Sequence, residues 1–186
     1  MKRERNRWKG FVIGMLGSTV GLLAMQKYWQ TVAPKLEANS KLDDKTVYPE
    51  SVDLDNIAVT EKHYKEDESS TAALGRIAYR WMTGKEPRSK EGQEMLSYLV
   101  HWVYGILQGG LYGAFRGDKG KVLDLWGGAV HANGLWLLGD EVAVPMLGLQ
   151  AGPTAVSPAS HINRWGAHMA YGLTTAATTQ LLSRIL

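Results

Sequence analysis

The chain contains 186 residues, carries a net charge of +3 and has no cysteine. Without cysteine it has no disulfide, no thiolate metal site and no cysteine nucleophile. Its basic residues cluster at the ends of apolar stretches instead of along one helix, so no nucleic-acid partner is expected. The mean hydropathy of −0.21 understates the apolar content, because a polar stretch from residue 31 to residue 92 dilutes several apolar ones.

The first predicted element is a membrane-spanning helix over residues 10–29. A basic cytoplasmic N-terminus, residues 1–9, precedes the apolar run GFVIGMLGSTVGLLAM. A signal peptide has the same layout, but no A-x-A cleavage site follows, and the pair Tyr28-Trp29 is typical of an aromatic interfacial anchor. Four-residue glycine spacings permit close helix contact in lipid. They predict packing positions at Gly14, Gly17 and Gly21.

The polar stretch that follows, residues 30–92, is predicted to lie on the outer face of the membrane. Up to residue 70 it has acids and prolines but no sustained period, which indicates an irregular segment. An amphipathic helix is predicted over about residues 70–84, and its apolar side carries Leu74, Ile77, Ala78, Trp81 and Met82. We expect this helix to lie in the headgroup region of the membrane. The alternative is a helix packed on a small soluble domain.

Three further spans complete the predicted architecture. The second, residues 94–115, has no charge after Glu94 and is long enough to cross the hydrocarbon. The third, residues 122–149, is long and polar towards its outer end, which predicts a bend near residue 140. An outer loop, residues 150–164, leads to the fourth span, residues 165–183. The predicted fold is therefore all-α: a four-helix transmembrane bundle with an extramembrane segment between helices 1 and 2.

Lysine and arginine in short loops set the predicted orientation. The N-terminus carries five basic residues and the loop Arg116–Lys121 carries three, whereas the loop after the third span has only Arg164. The N- and C-termini are therefore predicted in the cytoplasm of a bacterial cell, and residues 30–92 and 150–164 outside its inner membrane.

A five-residue pattern occurs twice, as His101-Trp-Val-Tyr-Gly105 and as His168-Met-Ala-Tyr-Gly172. The second and fourth predicted spans run in the same direction, so the two copies are expected at similar depth. Each copy begins a row of small residues at four-residue spacing, which forms one narrow stripe on a helix. These rows predict further packing positions at Gly105, Gly109, Gly113 and Gly172.

Histidines within the predicted spans allow three interpretations. His101, His131 and His168 are candidates for a b-type haem or another metal site, since neutral imidazole is a ligand of iron, copper and zinc. They are also candidates for a proton path together with Asp124, Asp140 and Glu141, because ionisable groups in a bilayer are costly and often functional. The third interpretation is structural: each imidazole forms a hydrogen bond across a helix interface.

Asp140 and Glu141 are expected at the outer end of the third span. They are interpreted either as solvated charges that end the apolar run or as partners of Arg164 or His161. Phosphate-binding G-x-x-x-x-G-K-[ST], G-x-S-x-G and H-E-x-x-H motifs are all missing from the sequence, so an ATPase, a serine hydrolase and a zincin are not expected.

The later spans resemble one known family. The segments HWVYGILQGGLYGAFRG, HANGLWLLGDEVAVPMLGL and HINRWGAHMAYG are similar to those of the YagU-like inner-membrane proteins, as is the glycine-rich first span. The resemblance covers about two-thirds of the chain and omits most of residues 31–70. It implies a multi-pass inner-membrane protein without an established activity and with a loose link to acid tolerance. It carries over no catalytic residue.

The sequence therefore predicts a non-enzymatic membrane protein that acts through packing, as an accessory or structural subunit of a membrane complex. Its expected partners are the lipid bilayer and either other membrane subunits or further copies of itself. The alternative is a small proton- or ion-handling protein that uses the intramembrane histidines. A haem-binding electron carrier is the third hypothesis, and no cofactor is expected under the first two.

Overall fold

The computed structural model of the protein describes residues 6–40, 53–116 and 124–186. Predictions that concern most of the basic N-terminus, residues 41–52 and the basic loop after Arg116 lie outside the described residues. All regular secondary structure in the described ranges is helical. The all-α class is thus confirmed, while the number of membrane crossings stays a prediction.

Long helices account for most of the described chain. Their bounds are Arg7–Thr31 (α1), Ala33–Ser40 (α2), Ser70–Thr83 (α3), Lys90–Arg116 (α4), Leu125–Gly134 (α5), a π-helix at Leu135–Ala143, Val144–Met146 (α6), a 3₁₀ turn at Pro153–Ala155 and Pro158–Ile185 (α7). Helices α1, α4 and α7 contain 25, 27 and 28 residues. At about 1.5 Å per residue each is longer than the roughly 30 Å of a bilayer's hydrocarbon core.

Local sequence signals explain several helix ends. The Asn6 side chain accepts a hydrogen bond from the Lys9 N–H at the start of α1, and Ser69 does the same for Ala72 at the start of α3. Gly84 ends α3 in the left-handed conformation, with φ of 69°, which glycine adopts without steric cost.

Two helices occupy positions that were predicted to be irregular. Helix α7 begins at Pro158 instead of Trp165, because proline has a fixed φ and lacks an N–H, and so fits the first turn of a helix. Helix α2 covers Ala33–Ser40, where the outer segment was expected to be unstructured, and it too has a proline, Pro34, in its first turn.

Two compact units make up the structure. The first contains Met1–Lys45, Tyr104–Trp136 and Pro158–Leu186, and the second contains Thr46–Val103 and Leu137–Ser157. Helix α4 and the helical run from α5 into the π-helix contribute residues to both units.

In the first unit, α1 contacts α4 and α7 through small residues. A Cβ on Gly14 would overlap the Gly109 carbonyl oxygen of α4 and come within 2.9 Å of the Gly113 Cα. On the α7 side of α1, Gly17 lies against Thr179 and Gly21 against Thr175. These pairs run in opposite directions along the chain, so α1 is antiparallel to both of its neighbours.

Helix α5 packs on α7 in the same way. A Cβ on Gly128 would meet the Ala176 Cβ and the Gly172 carbonyl oxygen, each at 2.6 Å. A Cβ on Gly172 would come within 2.7 Å of the Ala132 Cβ. The predicted packing glycines all lie at such close contacts with neighbouring helices: Gly14, Gly17, Gly21, Gly105, Gly109, Gly113 and Gly172.

Burial in the first unit is inverted relative to a water-soluble bundle. The buried positions are mostly glycine, alanine, serine, threonine and asparagine, whereas the exposed ones include large apolar side chains. On α1 and α4 the exposed apolar residues include Val12, Leu16, Val20, Leu23, Leu107, Leu111 and Phe115. In a water-soluble helix the apolar stripe faces the core.

The second unit joins an extended segment to the turn after α6. The Val59 N–H donates to the Met146 carbonyl at 2.9 Å, and the His63 N–H donates to the Gly148 carbonyl at 2.8 Å. Further along, the Gly152 N–H donates to the Asp55 carbonyl at 2.8 Å. Gly148 has φ of 65°, and a Cβ there would also overlap the Glu61 carbonyl oxygen, so the turn requires glycine.

One helical run in the described residues is long and apolar enough to cross a membrane: Arg7–Ala38, of 32 residues. Of its most apolar window, 39% is buried. Each of the other predicted spans contains a histidine and further polar side chains, which lower its mean hydropathy.

Replacing Gly14 by alanine is expected to destabilise the first unit by about 1–3 kcal/mol, because the new methyl group forces α1 away from α4. The measurement is thermal unfolding of the purified protein in detergent, followed by tryptophan fluorescence. The matched control is Gly134→Ala. In the described structure no atom lies within 4 Å of a Cβ at that helical position, so alanine should leave the midpoint unchanged or raise it. Equal midpoints for the two variants would contradict the packing described here.

Candidate functional site

A polar cluster joins three helices at one end of the first unit. The Asp124 carboxylate caps the start of α5, where it accepts from the Gly127 N–H at 3.2 Å. The same carboxylate accepts two bonds from the Arg116 guanidinium, one of them from Nε at 2.6 Å. Such bidentate, charge-assisted pairs are the strong hydrogen bonds of proteins. The cluster thus fixes the end of α4 to the start of α5.

Two further side chains complete this cluster. The Tyr112 hydroxyl, one turn before Arg116, donates to Asp124 Oδ2 at 2.9 Å. From α7, Gln180 Oε1 accepts a hydrogen bond from the Asp124 N–H at 2.6 Å. The sequence suggested Asp124 as a polar residue of the third span but gave no sign of its partners, which come from two other helices, α4 and α7.

From this cluster a row of rings leads into the interior of the first unit. The Tyr112 ring lies 5.3 Å from the His131 ring, and His131 lies 6.2 Å from the ring of Tyr171. The buried Tyr171 hydroxyl donates to the Gly105 carbonyl at 2.6 Å. His131 Nε2 is buried and has no hydrogen-bond partner among the described residues. We name Tyr112, His131 and Tyr171 the tyrosine–histidine row.

The tyrosine–histidine row also connects the two copies of the repeated sequence pattern. Tyr171 belongs to the second copy, and Gly105, whose carbonyl it reaches, belongs to the first. His168 lies three residues before Tyr171, and its Nδ1 donates to the Arg164 carbonyl at 2.9 Å. Since a carbonyl oxygen only accepts, this bond fixes the proton on Nδ1.

His101 belongs to the second unit, where it lines an open cleft of about 540 Å³. One wall of the cleft is the segment from Lys65 to Ala72, and the other is α4 from Lys90 to His101. Thr71 Oγ1 and Ser97 Oγ lie 2.8 Å apart across it. The lining therefore offers hydroxyls and charges of both signs.

Glu68, which lines this cleft, forms a buried ion pair. Arg76 of α3 donates from Nε to Glu68 Oε1 at 2.8 Å and from Nη2 to Glu68 Oε2 at 2.8 Å. Arg76 Nη2 also donates to the His63 carbonyl. The two side chains are 6% and 10% exposed. The hydrogen bond from Arg76 holds the pKa of the Glu68 carboxyl below its usual range.

Asp140 and Glu141 lie in the π-helix, within the second unit. The Asp140 carbonyl accepts a hydrogen bond from the Gln150 side chain. Glu141 is only 7% exposed, so the structure buries it instead of leaving it solvated as one interpretation expected. π-Helical turns are rare and occur frequently at functional sites.

The described residues contain no assembled group of metal ligands. Histidine, aspartate and glutamate side chains there form no group of three or more that could hold an ion. The candidate residues instead fall into separate places: His131 and His168 in the first unit, and His101, Asp140 and Glu141 in the second.

Comparison with known proteins found no match to the chain among family models, curated proteins or solved structures. The resemblance to the YagU-like proteins therefore rests on the quoted sequence motifs.

Replacing Glu68 by glutamine is expected to destabilise the protein at pH 7 by about 2–3 kcal/mol, because Arg76 loses its buried charge partner. The lowered pKa of Glu68 means that the ion pair stabilises the fold fully above the ordinary glutamate pKa of about 4.3. This stabilisation disappears as the pH falls through the folded-state value. The measurement is the unfolding midpoint of both proteins between pH 7 and pH 3.

The difference between wild type and Glu68→Gln should therefore narrow below about pH 4. The matched control is Glu66→Gln, which changes an exposed carboxylate in the same segment and should follow the wild type at every pH. A Glu68→Gln protein as stable as this control at pH 7 would show that the pair contributes nothing.

Proposed function

We propose that this protein is a multi-pass protein of the bacterial cytoplasmic membrane. The proposed membrane-spanning segments are α1, α4, the run from α5 to α6, and α7. The inverted burial of the first unit carries this proposal. Lipid tails are as apolar as leucine, so membrane helices associate through small residues and place large apolar side chains outward. The glycine contacts of α1 and the exposed Leu16 and Leu111 follow this rule.

The burial of α1 supports the same conclusion. A core helix of a soluble protein with this composition would be mostly covered, whereas 39% of the most apolar window of Arg7–Ala38 is buried. Most of the surface of this apolar helix is therefore not covered by other residues of the chain. A bilayer suits that surface without requiring a specific partner.

The N-terminal end of α1 lies next to the C-terminal end of α7, which supports the proposed orientation in the membrane. Lys9 Nζ donates to the Leu186 carbonyl at 2.6 Å, so α1 begins where α7 ends. Gly10 meets Gly113 close to the end of α4. Under the positive-inside rule the basic N-terminus assigns this end to the cytoplasm. In the second unit, residues 55–63 bond to residues 146–152. The former belong to the segment predicted outside, and the latter to the predicted outer end of the third span and the start of the outer loop.

Within the membrane, we infer a non-enzymatic role in which the bundle acts by packing as a subunit of a larger membrane complex. The interior of the first unit is occupied by helix–helix contacts between small residues. Its outward apolar faces suit lipid and also another membrane helix. The resemblance to the YagU-like inner-membrane proteins supports the location, and it adds no activity.

Purification from native membranes is expected to recover the protein in a stoichiometric complex. The protein should stay in membranes washed with alkaline carbonate, because its apolar faces are held by lipid. Native mass spectrometry in a mild detergent should then give the mass of the chain plus partner subunits or further copies. The same sample in a denaturing detergent supplies the mass of the chain alone. A monodisperse, partner-free protein in the mild detergent would falsify the subunit role.

A second candidate function is proton handling, and the tyrosine–histidine row favours it. The row connects the Arg116–Asp124 pair with an imidazole whose Nε2 is buried and with a buried phenol, through three adjacent rings. Histidine is the side chain whose ordinary pKa lies nearest neutrality, and ionisable groups inside membrane bundles often belong to proton relays. His131 is therefore the central residue of this candidate.

If the protein moves protons, His131→Ala should reduce the flux to that of protein-free vesicles. The measurement is the decay of a pH gradient in reconstituted vesicles that contain a pH-sensitive dye. His131→Asn, which keeps a polar side chain but cannot be protonated near neutral pH, should be equally inactive. His63→Ala, in the extended segment of the second unit, is the matched control and should keep the wild-type flux. Unchanged flux in the triple alanine variant of His101, His131 and His168 would end this candidate.

A further inference from the structure

Helix α3 of the second unit leaves most of its apolar side exposed. Leu74, Ala78, Trp81 and Met82 share one side of the helix, and all four are exposed. Trp81 is 88% exposed and Met82 is 76% exposed. These four residues form what we call the α3 outer face.

Contacts of Gly75 and Arg76 hold the helix in this orientation. A Cβ on Gly75 would lie 3.0 Å from the Leu96 Cβ of α4, so the backbone of α3 packs closely there. Next to it, the buried Arg76 is bonded to Glu68 and to the His63 carbonyl. Rotating α3 to cover Trp81 would expose Gly75 and break the ion pair of Arg76. The α3 outer face is thus a fixed feature of the fold.

This arrangement is the reverse of a helix packed on a soluble domain. An amphipathic helix of that kind buries its apolar stripe and exposes its charges. Helix α3 instead buries an arginine and exposes a tryptophan and a methionine. An exposed apolar stripe of this kind marks a surface that contacts either a membrane or a partner protein.

Basic residues are concentrated in the segment at the C-terminal end of α3. Residues 80–90 contain four basic side chains and one acidic one: Arg80, Lys85, Arg88 and Lys90 against Glu86. Glu86 lies within 4 Å of basic groups on Lys65, Arg76 and Arg80, so its charge is locally offset. The segment around and after Trp81 therefore carries a net positive charge.

We propose that the α3 outer face docks on anionic phospholipid headgroups. Tryptophan favours the membrane–water interface, where its ring is apolar and its N–H reaches water. Basic residues near an anionic membrane surface strengthen the attraction to it. This inference rests on the proposed membrane location of the first unit.

The size of the face favours lipid over a protein partner. A standard protein interface buries about 800 Å² on each side. Four side chains of a 14-residue helix, only one of them large and aromatic, supply less than that. Interfacial helices bind membranes with such a stripe and a basic flank.

Spin labels on single cysteines test this docking directly, because the chain has no native cysteine. Ala78→Cys places the probe at the centre of the α3 outer face and leaves Trp81 in place. Thr83→Cys is the matched control on the same helix, exposed and about 140° around it from Ala78. Leu16→Cys and Leu111→Cys report on the bilayer itself. The measured quantity is the accessibility of each label to oxygen relative to a water-soluble nickel complex.

In vesicles of phosphatidylethanolamine and phosphatidylglycerol, the oxygen-to-nickel ratio is expected to be several-fold higher at position 78 than at position 83. The ratio at position 78 should fall in pure phosphatidylcholine vesicles, which lack anionic lipid, and after adding Trp81→Ser. Positions 16 and 111 should keep high ratios in both vesicle types, since their immersion does not depend on lipid charge.

Three results would overturn the inference, and they are distinguishable. High ratios at positions 16 and 111 with an aqueous ratio at position 78 would leave the membrane proposal intact and remove the docking of α3. Protection of position 78 from both reagents would indicate coverage by protein, either another subunit or a second copy. Aqueous ratios at positions 16 and 111 would remove the membrane proposal and the lipid docking with it.

Discussion

Close approach of helix backbones is the constraint on which the first unit depends. Helix α1 uses one glycine row for two neighbours: Gly14 meets α4, while Gly17 and Gly21 meet α7. With the backbones in contact, the interior takes few large apolar side chains, such as Leu22 against Gly105. Most of the others point outward, and the protein needs a surrounding medium that accepts them. The membrane proposal follows from this geometry more than from the mean hydropathy of the helices.

The same geometry explains why polar groups occupy the interior. Asn163 is almost fully buried and donates from Nδ2 to Glu37 and to the Ala33 carbonyl. Ser18 donates to the Met15 carbonyl at 2.9 Å, within its own helix. Buried polar side chains are tolerated where such bonds are made. Small polar residues fit between close helices and also link them, which larger apolar residues would prevent.

Local signals made part of this structure predictable. The glycine spacings of the first span, the rows in the second and fourth, and the helix punctuation around residues 70–84 are short-range patterns of single elements. The pairing of residues 55–63 with 146–152 joins distant segments, and no local pattern specifies it. The start of α7 at Pro158 was missed because Pro and Ser favour both a loop and the first turn of a helix.

The repeated His-x-x-Tyr-Gly pattern has different roles at its different positions. Gly105 of the first copy lets the Leu22 side chain approach from α1, and its carbonyl accepts from Tyr171 of the second copy. Gly172, next to that tyrosine, contacts Gly128 of α5. The Tyr-Gly half of the pattern therefore joins α4, α5 and α7 in one packed interior. The histidines that begin the copies have separate surroundings, and the imidazole that reaches the interior is His131, which lies outside the repeat.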